Sequence, residues 1–179
     1  MKIKFSFEKK RIKSFAISIL FTALLVIIDQ FTKLLATEYL KGEDPVIIIE
    51  GVFRFRYLTN PGAAFGSMQN SRWIFMTFSS LAIVAMLAYL FYAAFASSAS
   101  PLYTLSVSAI LAGGIGNMID RIFFGEVVDF LDFYLIDFAV FNFADSCVCV
   151  GAGFLILALV LDLIKESREA KAKKNENNG

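Results

Sequence analysis

Apolar and polar positions separate into long blocks rather than into the short alternations of a soluble domain. Residues 14–28, SFAISILFTALLVII, carry no charge and follow a head containing Lys2, Lys4, Lys9, Lys10, Arg11 and Lys13 against one Glu8. No small-x-small cleavage site follows, so the run reads as an uncleaved first membrane span over about 14–36. From Trp73 to Ile119 there are 47 consecutive uncharged residues, punctuated by Ser97-Ser98-Ala99-Ser100-Pro101. At about 20 residues per crossing, that is two helices, 73–96 and 101–121, joined tightly. From Phe138 to Leu161 the one charge is Asp145, which predicts a fourth span over about 138–163. Between the first two spans, VIIIEGVFRFRYL (46–58) is β-branched and aromatic. Arg54 and Arg56 alternate there with Phe53, Phe55 and Tyr57, a strand pattern that Gly51 divides into two.

The expected fold is therefore an all-α membrane protein: four transmembrane helices with a small outer β-strand segment. One membrane domain fills residues 1–167, and the polar, Asn-rich stretch 168–179 is expected to be a disordered cytoplasmic tail. The head and the tail from Lys165 onward hold eleven of the 17 basic residues. With an even number of spans, this places both termini in the cytoplasm.

Composition narrows the chemistry. The 179-residue chain is 58% hydrophobic and 18% charged, with a formal charge of +1, which gives no basic footprint for nucleic acid. It has no histidine, excluding imidazole acid–base chemistry, Ser-His and Cys-His nucleophiles, and His-ligated metals. Cys147 and Cys149, two apart in an apolar run, are expected to be buried small hydrophobes on different helix faces, without a disulfide.

Ionisable groups within or beside spans are costly and mark candidate sites. Here they are Asp29, Lys33, Asp120, Arg121, Asp129, Asp132, Asp137 and Asp145, and all fall toward the outer ends of their spans, whereas Asp162 lies at the cytoplasmic end of the fourth, beside Lys165. Asn117, Asp120 and Arg121 share one helical face at i, i+3 and i+4, as do Asn142 and Asp145 at i and i+3. Gly113, Gly114 and Gly116 let a neighbouring helix approach closely. Converging acids without His or a metal cluster fit two carboxylates sharing a proton, one activating water and the other hydrogen-bonding the carbonyl under attack. Spacing alone leaves Asp120, Asp129, Asp132 and Asp145 open as the pair.

Five motifs in order, IDQFTK (28–33), TNPGAAFG (59–66), GGIGNMIDR (113–121), VVDF (127–130) and FNFADS (141–146), resemble the bacterial lipoprotein signal peptidases, or signal peptidase II. The resemblance implies an aspartyl endopeptidase of the inner membrane that removes the signal peptide of a diacylglyceryl-modified prolipoprotein, cutting just before the lipidated cysteine. It implies Asp129 and Asp145 as the catalytic pair, Asn60, Asn117, Asp120, Arg121 and Asn142 as substrate-binding or supporting residues, and Asp29 and Lys33 as a structural pair. It further implies no cofactor or metal, a site at the outer face, contact with membrane lipid, sensitivity to globomycin and a monomer. Asp132 and Asp137 lie outside the motifs and are expected to be solvated. Rival classes fit less well. GxGD-type intramembrane proteases have Asp where Gly114-x-Gly116 is followed by Asn117, a proton-coupled carrier would place an acid near the midplane, and a purely structural subunit leaves Asp145 without a role.

Overall fold

The computed structural model describes residues 2–62, 72–95 and 100–177. Positions 63–66 of the second motif and the 97–99 punctuation lie outside the described residues. The described residues form four helices, α1 (Lys2–Leu40), α2 (Arg72–Phe95), α3 (Pro101–Phe123) and α4 (Phe143–Asn177), and three strands, β1 (Val46–Ile49), β2 (Phe53–Asn60) and β3 (Val127–Asp132). Each helix contains a segment of at least 20 residues apolar enough to cross a membrane. Ile17, Leu20, Leu24, Ile27, Phe31 and Leu34 of α1 are all exposed at helical spacing, as expected of a stripe that faces lipid rather than water.

Helix α3 is the centre. Half of its span is buried, against 17% for each of the other three, and small residues make that possible. A Cβ on Gly113 would collide with the Ala144 carbonyl oxygen, and one on Gly151 would sit 2.8 Å from the Ser106 carbonyl oxygen. The α3–α4 crossing is therefore a backbone-to-backbone contact. Thr22 Oγ1 donates to the Ser108 carbonyl at 3.2 Å, tying α1 to the same helix. Leu90, Val107 and Leu111 form the apolar core beneath, flanked by Phe15, Met86 and Leu155.

Local signals account for the helix ends. Ser100 caps α3, its Oγ accepting from Leu102 N–H, with Pro101 in the first turn. At the other end the Phe124 and Gly125 amides both donate to the Asp120 carbonyl, and Gly125 takes φ +87°, the left-handed stop that favours glycine. The chain then turns directly into β3.

The sheet has the order β1-β2-β3, all antiparallel. The hairpin expected over 46–58 is present, with Gly51 at φ +73° in its turn. The third strand, β3, was not apparent from the sequence. It pairs Leu58 with Asp129, Thr59 with Val128 and Asn60 with Val127, so the start of the TNPGAAFG motif lies alongside the VVDF motif. Asp132 is not solvated as expected. It is 3% exposed, accepts from Arg54 Nε at 2.7 Å and forms an ion pair with Arg56, whose Nε lies 3.4 Å away, because the two arginines alternate onto one face of β2 opposite it. Asp137 is exposed, as expected.

Two further boundaries differ from expectation. Helix α4 starts at Phe143 rather than 138, because residue 141 is held against β3: Phe130 and Leu131 amides donate to the Phe141 carbonyl, and Phe141 N–H donates back to Leu131. At its other end α4 runs on to Asn177. The segment 168–177 is thus helical, consistent with the helix propensity of its Ala, Lys, Glu and Arg residues.

Candidate active site

The reversal at 141 places Asn142 immediately before α4, where it and Asp145 form a reciprocal capping box. Asn142 Oδ1 accepts from Asp145 N–H at 3.0 Å, and Asp145 Oδ2 accepts from Asn142 N–H at 3.1 Å. The i, i+3 spacing read as a shared helical face is therefore the geometry of a helix start. The other Asp145 oxygen, Oδ1, accepts from Asn117 Nδ2 of α3 at 2.8 Å. Asp145 thus has both oxygens held by amides while facing the cavity.

Asp129 projects from β3 into the same space. Its Oδ1 accepts from Asn142 Nδ2 at 2.7 Å and its Oδ2 from Asn60 Nδ2 at 3.2 Å. Asn142, fully buried, therefore holds Asp129 with its side-chain amide and Asp145 with its backbone amide. One residue spans the two acids. Burial, followed by the nearby negative charge of Asp145, pushes the Asp129 carboxyl up to about 7, against the opposing pull of the Asn60 and Asn142 hydrogen bonds. Such a group holds its proton well above the ordinary carboxylate range and can donate it below about pH 7.

Both acids open onto a cavity of about 720 Å³, lined also by Asn60, Asn117, Arg121, Phe133, Phe138 and Phe141. Its walls are mostly apolar, with the polar groups gathered at one end. That suits a long greasy ligand bearing a single polar reacting centre. Phe133 stacks on Phe141 at 5.9 Å, and Phe138 meets Phe141 edge-on at 5.8 Å, which fixes the aromatic wall. Cys149 is exposed on this cavity, one turn beyond Asp145. Of the two cysteines expected to be buried, only Cys147 is, and both are free. Arg121 donates to the Gly62 carbonyl at 3.2 Å and to the Asn117 carbonyl at 3.4 Å, holding the NPG motif over the end of α3.

Behind the acids lies a second, closed cluster. Lys33 Nζ is 2.9 Å from Asp29 Oδ2, 2.9 Å from Asp120 Oδ2 and 3.0 Å from Asn117 Oδ1. Asp120 therefore belongs with Lys33 rather than in the cavity, although it shares a helix face with Asn117. Gln30 Nε2 joins the cluster by donating to Asp29, Asp120 and the Gly116 carbonyl. Its part was not anticipated from sequence. The available signal was an amide beside a buried acid inside a span.

The family model described as Signal peptidase (SPase) II matches residues 21–161. This chain belongs to the signal peptidase II family. It is similar to the lipoprotein signal peptidase of Symbiobacterium thermophilum, 43% identical over 147 residues, covering 81% of this chain and 95% of that protein. That of Brevibacillus brevis is 38% identical over 143 residues, covering 80% and 94%. A solved bacterial membrane enzyme, determined by the in meso method at 2.3 Å resolution, superposes with a TM-score of 0.74 at 31% identity, over 83% of this chain and 90% of its own. The chain is thus a multi-pass bacterial membrane protein with four helical spans and a small antiparallel sheet among its described residues. Its reaction is that of the family, removal of signal peptides from prolipoproteins by an aspartic endopeptidase.

Proposed function

We propose that Asp129 and Asp145 are the catalytic pair and that the substrate is a prolipoprotein carrying a diacylglyceryl cysteine at the first mature position. The observation that carries the pairing is Asn142, which binds one oxygen of each acid. In this reading Asp145 is ionised and Asp129 protonated. Asp145 takes a proton from water, and the resulting hydroxide attacks the scissile carbonyl carbon while Asp129 gives its proton to the carbonyl oxygen. As the tetrahedral intermediate collapses, the proton on Asp145 passes to the amine of the departing cysteine, the C–N bond breaks, and one hydroxyl of the intermediate returns a proton to Asp129, which leaves a carboxylic acid and the pair in its starting state. Asn60, Asn117 and Asn142 hold the acids, and Arg121 holds Gly62 in the cavity wall. The mostly apolar wall supports a lipidated substrate entering sideways from the bilayer. A globomycin-type inhibitor would occupy the same cavity, and the enzyme acts as a monomer.

The decisive experiment reconstitutes the purified protein in liposomes with one precursor in two forms. Only the diacylglyceryl form should be cut, without added metal or nucleotide, and efficient cutting of the unlipidated form would refute the substrate assignment.

The basic ends support an orientation with both termini cytoplasmic and the acids at the outer face. Trypsin should then trim the Lys-rich C-terminal segment in inverted vesicles and spare it in intact spheroplasts; the reverse pattern would reject the orientation.

A further inference from the structure

Resting on the assignment of Asp129 and Asp145 as the catalytic pair, we propose that Lys33 is the positioning residue that sets the spacing of that pair, acting through the ion triplet Asp29–Lys33–Asp120. Asp29 Oδ1 accepts from Ala144 N–H at 2.8 Å, the amide immediately before Asp145. Asp120 Oδ2 accepts from Val128 N–H at 3.4 Å, the amide immediately before Asp129. Each outer acid of the triplet thus holds the backbone one residue ahead of a catalytic acid, one on α4 and the other on β3. Lys33 lies between them at 2.9 Å from each.

The same ammonium donates to Asn117 Oδ1. Asn117 Oδ1 also receives Asn142 Nδ2 at 3.1 Å, so two donors fix the amide with its Nδ2 toward Asp145. Lys33 therefore reaches Asp145 by two routes, Asn117 and the Asp29-held start of α4, and Asp129 by one, the Asp120-held start of β3. All three charges are buried, at 4% exposure or less, and a triplet this closed is rigid only while its central cation is present. Gly116 leaves the room it needs, since a Cβ there would collide with Asp29 Oδ2 and lie 3.0 Å from its Cγ.

The test compares Lys33→Met, Gly116→Ala and the pairs Asp29→Asn with Asp29→Ala and Asp120→Asn with Asp120→Ala, each reconstituted with one lipidated precursor. Rates are taken per folded molecule, counted from the monodisperse helical fraction. Lys33→Met should lower kcat by about 30-fold or more with KM within about threefold, the split expected when only the transition-state geometry is lost. Asp→Asn keeps an oxygen to accept the amide and should be about tenfold more active than Asp→Ala at each position. Gly116→Ala displaces Asp29 without altering any charge, and should lower kcat in the same way. It carries the test, with the Asn variants, if Lys33→Met does not fold. Loss of folded protein with unchanged kcat in the remainder, or Asn no better than Ala, would overturn the proposal. Asp129→Asn and Asp145→Asn are run alongside. If they stay active, the assignment of the catalytic pair fails; if they are dead while Lys33→Met and Gly116→Ala keep kcat, the positioning role alone fails.

Discussion

Asp129→Asn and Asp145→Asn each lower turnover of a lipidated precursor by about three orders of magnitude or more, within the range expected for loss of a positioned acid or base. Asn preserves the volume, and its single oxygen can still accept from one of the two N–H groups that hold each acid, so the abundance of folded protein stays near that of the parent. On the proposed assignment, Asp145→Asn removes the group that takes the water proton, and Asp129→Asn removes the one that gives a proton to the carbonyl. The pH dependence separates them. Because the folded-state pKa of Asp129 is raised to about 7 from the ordinary 3.8, its contribution to stability is full below the ordinary carboxylate range and is lost as pH rises through about 7. Turnover should fall over that same upper range as the shared proton leaves. In Asp129→Asn the loss of thermal stability between pH 5 and 8 becomes shallower; an unchanged slope, or near-normal turnover in either variant, would reject the assignment.

Much of this site was legible in sequence because membrane physics makes polar residues conspicuous. Asp29, Lys33, Asp120, Arg121 and Asp145 stand out against uncharged runs, and the expectation that they gather at one depth follows from the cost of placing them elsewhere. The partition among them was not legible. Asn117, Asp120 and Arg121 share a helix face by spacing, yet Asp120 turns to Lys33 while Asn117 reaches Asp145. That choice depends on where α1 lies against α3, which no local pattern encodes. Strand β3 was missed for a related reason. VVDFLD is six residues long with an acid at positions three and six, so it lacks clean alternation, and its strand character comes from pairing with β2. Asp132 looked like a solvated surface acid until that pairing brought it to Arg54 and Arg56.

The two acids could have been brought together by a direct contact or by a shared neighbour, and here it is a neighbour. That makes Asn142 the position at which fold and chemistry separate most cleanly. Its Oδ1 caps α4, while its Nδ2 donates to Asp129 and is shared with Asn117 and the Val128 carbonyl. Asn142→Ala loses both functions. It should cost about 1 kcal/mol from the missing cap and about 100-fold or more in kcat, comparable to removing one preorganised donor from an active site. Asn142→Ser restores an oxygen for the Asp145 amide but has no amide to give to Asp129. Thermal melting of the two purified variants should therefore show Ser recovering most of the stability lost by Ala, while cleavage of a lipidated precursor stays as low as in Ala. The backbone N–H of residue 142, which holds Asp145, is present in both, so the shortfall in Ser belongs to Asp129. If serine returned turnover along with stability, the cap alone would be what the site requires of residue 142, and the acids would be held together by Asn60 and Asn117 instead.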